Sequence, residues 1–212
     1  FGRSAVPQPK HIDGAEVLSH ARSIVSEPSK HTVFALALGL MLITGRRTCE
    51  VLNGRSQFLR ADPASEYALR FVGQAKKRGA NQQGYVVAML VPVDDVIAAV
   101  AVLREKQQNA ALGNRETSRR YQSGLGRALR ADASWSSCAN VHALRGLYAC
   151  LAMHLFDWGD ASHAFVAMHL LGHAGLQESL VYTAFHLNNP DALPPRIDDS
   201  VLRATIEQDV PQ

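Results

Sequence analysis

Thr44-Gly45-Arg46-Arg47-Thr48-Cys49-Glu50-Val51 is the stretch on which the reading of this chain turns. It follows Lys30–Thr44, a run that is apolar nearly all round and so predicts a buried helix. Gly45 marks the end of that helix, or a break before a further helical turn through Glu50 and Leu52. Upstream, Asp13–Ser26 predicts a helix that Asp13 can cap. Its apolar stripe is Ala15, Val17, Leu18, Ala21, Ile24 and Val25, and Pro28 then interrupts.

Downstream, Tyr67–Val72 and Tyr85–Val91 alternate and are rich in strand formers. Between them lies Gly73-Gln74-Ala75-Lys76-Lys77-Arg78-Gly79, continuing to Gly84, which predicts a β-hairpin with a basic tip. A third strand is expected near Ser56–Leu59. Further helices are expected over Asp94–Gln108, Arg115–Arg130, Val141–Phe156, Ala161–Leu171, Gln177–Phe185 and Asp198–Gln208. The expected class is mainly α with a small antiparallel β-sheet, an α+β fold. Residues 1–189 are expected to form the main domain. Residues 190–212 read as a proline-rich linker and a C-terminal helix, whose stripe of Val201, Leu202 and Ile206 could dock on this domain or on a partner.

The 212 residues suffice for one sizeable core. The chain opens at Phe1, which suggests a piece of a longer protein, and no secretory leader is seen. No apolar run reaches the ~18 residues of a membrane span, so no membrane partner is expected. Cys49, Cys138 and Cys150 make an odd count without CxxC spacing. That argues against a disulfide framework or a zinc knuckle and favours a reducing, intracellular setting. The net charge is only +3, but it is unevenly spread. Gly45–Gly79 holds eight Lys/Arg against three acids, and Arg104–Arg130 holds seven against two. Leu187–Gln212 is acidic. A polarised surface follows, unless these are simply solvated helix faces.

Four separated pieces stand out. They are the Thr44–Val51 block, Lys76-Lys77 at the hairpin, His142-Ala143-Leu144-Arg145, and Leu171-Gly172-His173 followed by Tyr182. His142 and Arg145 are three apart and share a helix face. Arg145 on an apolar helix needs an anion or a cleft. His173 sits in a glycine-flanked loop that can aim it. Phosphoryl transfer needs positive, hydrogen-bonding groups around the non-bridging oxygens, and two arginines can each bind phosphate bidentately. A hydroxyl nucleophile needs a proton acceptor, and a leaving alkoxide needs a donor. Arg, Lys, His, Arg, His and Tyr supply all of these without a metal or other cofactor.

These blocks resemble the tyrosine recombinase (phage integrase) family. That family pairs a Gly-x-Arg-x-x-Glu block, a hairpin lysine, a His-x-x-Arg block, and a Leu-Gly-His block followed by the tyrosine, in the order found here. The resemblance implies Arg47 as the first arginine, with Glu50 as its structural neighbour. Lys76, rather than Lys77, fits the hairpin lysine, which the family uses to protonate the departing 5′ oxygen. His142 and Arg145 match the second block, His173 the third histidine and Tyr182 the nucleophile. Thr-Gly-Arg-Arg, Gly-Gln-Ala-Lys and Tyr182-Thr-Ala-Phe-His-Leu187 are further similar to hairpin telomere resolvases (protelomerases). Some of those carry lysine where this chain has His142, as ordinary recombinases do.

The resemblance implies DNA breakage and rejoining through a 3′-phosphotyrosine ester, with a hairpin or a recombinant as the product. It also implies double-stranded DNA as partner and self-association to a dimer or tetramer on DNA. The location would be with DNA, in a bacterial cytoplasm or nucleoid or in the host of a phage. Arg46, Lys77, Arg78, Arg119 and Arg120 are expected to touch DNA. A catalytically silent DNA-binding module is the competing class, but binding alone needs no hydroxyl beside two arginines. His169, four before His173, could share a zinc with it. No third ligand accompanies the pair and Gly172 breaks the helix, so no metal is expected. His11, His20, His31, His154 and His163 receive no role, and Tyr67, Tyr85, Tyr121 and Tyr148 read as structural. Tyr121, in the basic Arg119-Arg120-Tyr121 stretch, could also touch a DNA backbone.

Overall fold

The computed structural model describes residues 10–75, 84–107, 112–173 and 185–208. Its centre is helix α2, Val33–Thr44, capped by Thr32 Oγ1, which accepts from Ala35 N. Every residue from Leu36 to Thr44 is buried, as its lack of a polar face requires. Helices α1 (Gly14–Ser26), α3 (Thr48–Leu52), α4 (Val93–Gln107), α5 (Asn114–Ala131) and α6 (Ala143–Leu155) pack around it. α1 is capped by Asp13, whose carboxylate accepts from Glu16 N. Helix α7, His163–Leu171, lies against α6.

Strand β1 is Lys10–Asp13. Strands β2 (Gln57–Arg60), β3 (Ala68–Val72) and β4 (Tyr85–Ala88) form an antiparallel sheet with β3 in the middle. Phe71 on β3 is fully buried and meets the rings of Phe58 and Tyr85 edge-on. The mainly helical class with one small antiparallel sheet is therefore as expected. The third strand lies one residue beyond its expected position. Tyr85–Val91 pairs only as far as Ala88.

A second sheet has no counterpart in the sequence reading. β5, Phe185–Asn188, runs parallel to β1, with Lys10 opposite Phe185 and Asp13 opposite Asn188. Phe185, expected to end a helix, is a strand residue. The rest of that expected helix lies outside the described residues, as do the hairpin tip and Tyr182, the expected nucleophile. The last helix, α8 (Ser200–Gln208), places Leu202 and Ile206 in this chain's own core. Ile197 N donates to Leu155 O at 2.7 Å, and Arg203 pairs with Asp157 at 3.0 Å. Leu202 and Ile206, two of the three residues in the stripe expected to dock on this domain or on a partner, are thus buried within this chain. Among the described residues no helix is long and apolar enough to cross a membrane, and the three cysteines are free thiols.

Candidate active site

The site is built where α2 ends. Gly45 takes the left-handed conformation at φ +65° and its N–H bonds Met41 O at 3.0 Å, stopping the helix. A side chain here would also strike Tyr148, since a Cβ would lie 2.2 Å from its ring. The chain then turns sharply and presents two arginines in opposite directions.

Arg46 points inward and is 0% exposed. Its Nε donates to Thr44 O at 3.0 Å, and its two terminal nitrogens donate to Tyr85 Oη and Leu170 O. The guanidinium lies over the rings of Phe71 and Tyr85 at 5.2 and 5.3 Å. Burial works against its charge, but Tyr85 and Glu50 outweigh that and hold its pKa above the ordinary value. Arg46 was expected to touch DNA; it borders the cleft, but each of its three nitrogens already donates to a partner within the protein.

Arg47 points outward into a cleft of about 1060 Å³. Its Nη1 donates to Glu50 Oε1 at 2.9 Å, while Glu50 Oε2 accepts Arg47 N at 2.8 Å. Burial alone would raise the Glu50 pKa. Arg46, Arg47, Arg145 and the Arg47 N–H prevail and hold the carboxyl below the usual carboxylate range. Glu50 is thus an ionised, buried counter-charge that orients Arg47.

The same cleft is lined by His142 and Arg145, so the first and second blocks converge. His142 is the exposed residue just before α6, and Arg145 lies on its first turn. Arg145 is 1% exposed. Its terminal nitrogens donate to Gly45 O and Leu171 O, and Nη2 is 3.4 Å from His173 Nε2. Its Nε is buried with no partner among the described residues. Burial first, then Arg46 and Arg47, lower its pKa to about 10. An anion at this position would relieve both penalties.

His173 follows Gly172, which is left-handed at φ +59°. A Cβ on Gly172 would lie 2.4 Å from both Gln74 Nε2 and Tyr85 Oη, so only glycine lets α7 end this close to the sheet. His169 bonds Val86 O at 2.9 Å, which gives that ring a structural partner. Among the described residues no group of three or more His, Cys, Asp or Glu could hold a metal.

The opposite wall is α5, with Ser118, Gln122, Ser123, Gly126, Arg127 and Arg130 on the cleft. Arg127 and Arg130 were missed in the sequence. Arg119 and Arg120, expected to contact DNA, are exposed on α5 but do not line the cleft. Arg120 stacks at 5.8 Å on Tyr121, which is itself buried and so unsuited to a DNA contact of its own. Four-residue steps from Ser118 through Gln122 and Gly126 to Arg130, with Ser123 and Arg127 beside them, were the signal that could have marked this face. Lys76, Lys77 and Arg78 lie outside the described residues, like Tyr182.

Residues 9–185 match the family described as the telomere resolvase ResT/TelK catalytic domain, a range that includes Lys76 and Tyr182. No curated protein sequence gives a significant match. A protelomerase TelA variant covalently complexed with substrate DNA superposes with a TM-score of 0.74 at 24% identity, over 86% of this chain and 62% of that one. A TelA variant complexed with a DNA hairpin product gives 0.72 at 22% identity, over 87% and 61%. The protelomerase TelK complexed with substrate DNA gives 0.72 at 20% identity, over 91% and 40%. This chain therefore spans less than two thirds of the length of these relatives.

Proposed function

Since this chain belongs to the telomere resolvase ResT/TelK catalytic domain family, we propose that it cuts and reseals duplex DNA through a phosphotyrosine ester on Tyr182, and that the whole protein converts a replicated palindrome into hairpin ends. The observation that carries the reading is Arg145. A buried guanidinium whose Nε has no partner among the described residues lines a basic cleft with Arg47 and His142, and contacts His173. An anion bound in this cleft would satisfy that donor and offset the crowded positive charge.

In the reaction, Tyr182 Oη attacks the scissile phosphorus. The new P–O bond joins the 3′ phosphate to the tyrosine, and the bond to the 5′ oxygen breaks. Arg47 and Arg145 hold the non-bridging oxygens, with bonds that strengthen as charge builds on them. The tyrosine proton passes to an acceptor, with His142 and His173 both candidates. Lys76 gives a proton to the leaving 5′ oxygen. The ester conserves the bond, so the 5′ hydroxyl of either strand can attack it without ATP. No step needs a metal. Each chain offers one such tyrosine, whereas two hairpins require two cuts, so two copies act together on a palindrome.

A nicked suicide duplex separated on a denaturing gel tests this. Wild-type protein traps a covalent protein–DNA band, unaffected by EDTA. Tyr182→Phe binds with near-normal affinity and traps none. A band persisting in Tyr182→Phe, or lost on chelation, refutes the reading. Snap-back renaturation of the products of an intact palindrome separates hairpins from recombinants.

A further inference from the structure

Gln74 has no part in the steps above, yet its side chain joins two regions that do. Its Nε2 donates to Gly172 O at 2.6 Å, across 98 residues of sequence. A carbonyl only accepts, so the amide must present its NH₂ here. The peptide bond that holds this oxygen also contains the nitrogen of His173. The glycine that carries it leaves room for the amide, which a Cβ would strike at 2.4 Å. The next residue, Ala75, donates its N–H to Glu50 Oε1 at 3.0 Å. The chain leaving β3 is thereby pinned at two successive residues. One pin is on the loop of His173, the other on the carboxylate that orients Arg47.

The residue after Ala75 is Lys76. Two residues of chain reach at most ~7 Å, so whatever fixes Gln74 and Ala75 fixes the origin from which Lys76 acts. We infer that Gln74 is a positioning residue for protonation of the leaving 5′ oxygen: its bond to Gly172 O holds the root of the lysine-bearing connection in one frame with His173 and, through His173, with Arg145. The inference rests on the strand-transfer reading above. It assigns Gln74 no contact with DNA.

The test uses the full-length protein and two suicide duplexes. One has the ordinary 5′ oxygen at the scissile phosphate; the other has a bridging sulfur there, which leaves without a proton. Gln74→Met keeps the length of the side chain and removes the donor, and Gln74→Glu replaces the donor by a group that repels the carbonyl. Thermal melting checks that both fold. Both variants should form adduct about 10-fold or more slowly on the oxygen duplex, since a misplacement of about 1 Å costs up to ~100-fold. On the sulfur duplex both should approach wild type, as Lys76→Ala should. Adding Gln74→Met to Lys76→Ala should cost nothing further on the oxygen duplex. Equal loss on both duplexes, or no loss on either, overturns the inference. So does a Lys76→Ala defect that sulfur does not rescue. A wild-type protein that forms no adduct on either duplex sinks the strand-transfer reading itself, and that result involves no Gln74 variant.

Discussion

Arg145 Nη2 stands 3.4 Å from His173 Nε2, so the arginine of the second block and the histidine of the third are in direct contact. A guanidinium can only donate, so in any hydrogen bond between the two His173 is the acceptor. The guanidinium serves Gly45 O, Leu171 O and His173 together, from a single planar fork. Arg145→Lys keeps the charge but cannot span those partners. Adduct formation should fall by about 100-fold or more, with DNA affinity nearly unchanged. Single-turnover trapping beside a gel-shift titration checks this, and a parallel loss in both would refute it.

Arg46 and Arg47 should separate stability from activity. Arg46→Lys leaves buried acceptors unmatched among Thr44 O, Leu170 O and Tyr85 Oη, at a cost of about 2–3 kcal/mol. Arg47→Lys keeps a cation beside the buried Glu50 and should cost less stability than Arg46→Lys. Its adduct formation should nevertheless drop by about 100-fold. Urea unfolding and adduct assays on both variants give the comparison. The opposite ranking in urea would overturn the assignment of Arg46 to the scaffold.

Glu50→Gln gives a pH signature. The folded carboxyl is held below its ordinary pKa, so its contribution is complete above the unfolded value of about 4.3. It is lost as pH falls through the lower, folded value. The variant should be less stable than wild type by about 3 kcal/mol at neutral pH. The two should converge only below about pH 4.3, where the wild-type carboxyl takes up its proton. Melting curves from pH 3 to pH 8 follow the gap, and a gap independent of pH would exclude an ionised Glu50.

On the far wall, Arg127 and Arg130 should act through charge. Replacing both by Ala should weaken binding to all duplexes alike and reduce the slope of log affinity against log salt by about 1–2. Replacing Arg120, which stacks on Tyr121 outside the cleft, should change that slope less. Fluorescence anisotropy at several salt concentrations measures both. Equal slopes for the two variants would remove α5 from the DNA path.

The sequence revealed what is local. Asp13 caps α1, the largely apolar α2 is buried from Leu36 to Thr44, and Gly45 ends it, each as spacing and side-chain chemistry require. Arg47, His142 and Arg145 were legible because their blocks keep a recognisable order, and the cleft brings them together. The inward turn of Arg46 was not legible. It depends on Tyr85 and Leu170, which β4 and α7 bring from far along the chain. The sequence did not single out Arg127 and Arg130, because basic residues recur along α5 and only the fold says which of its faces meets the cleft. The β1–β5 pairing was invisible because Lys10-His-Ile-Asp13 and Phe185-His-Leu-Asn188 are short and carry no turn between them.

That last pairing sets an order of assembly. A hairpin can close as soon as its turn is made, whereas parallel strands so far apart in sequence close only after the intervening domain has brought them together. Tyr182 lies three residues before Phe185, the first rung on β5. The strand that follows Tyr182 is therefore anchored late, once the domain that carries Arg47 and Arg145 has formed.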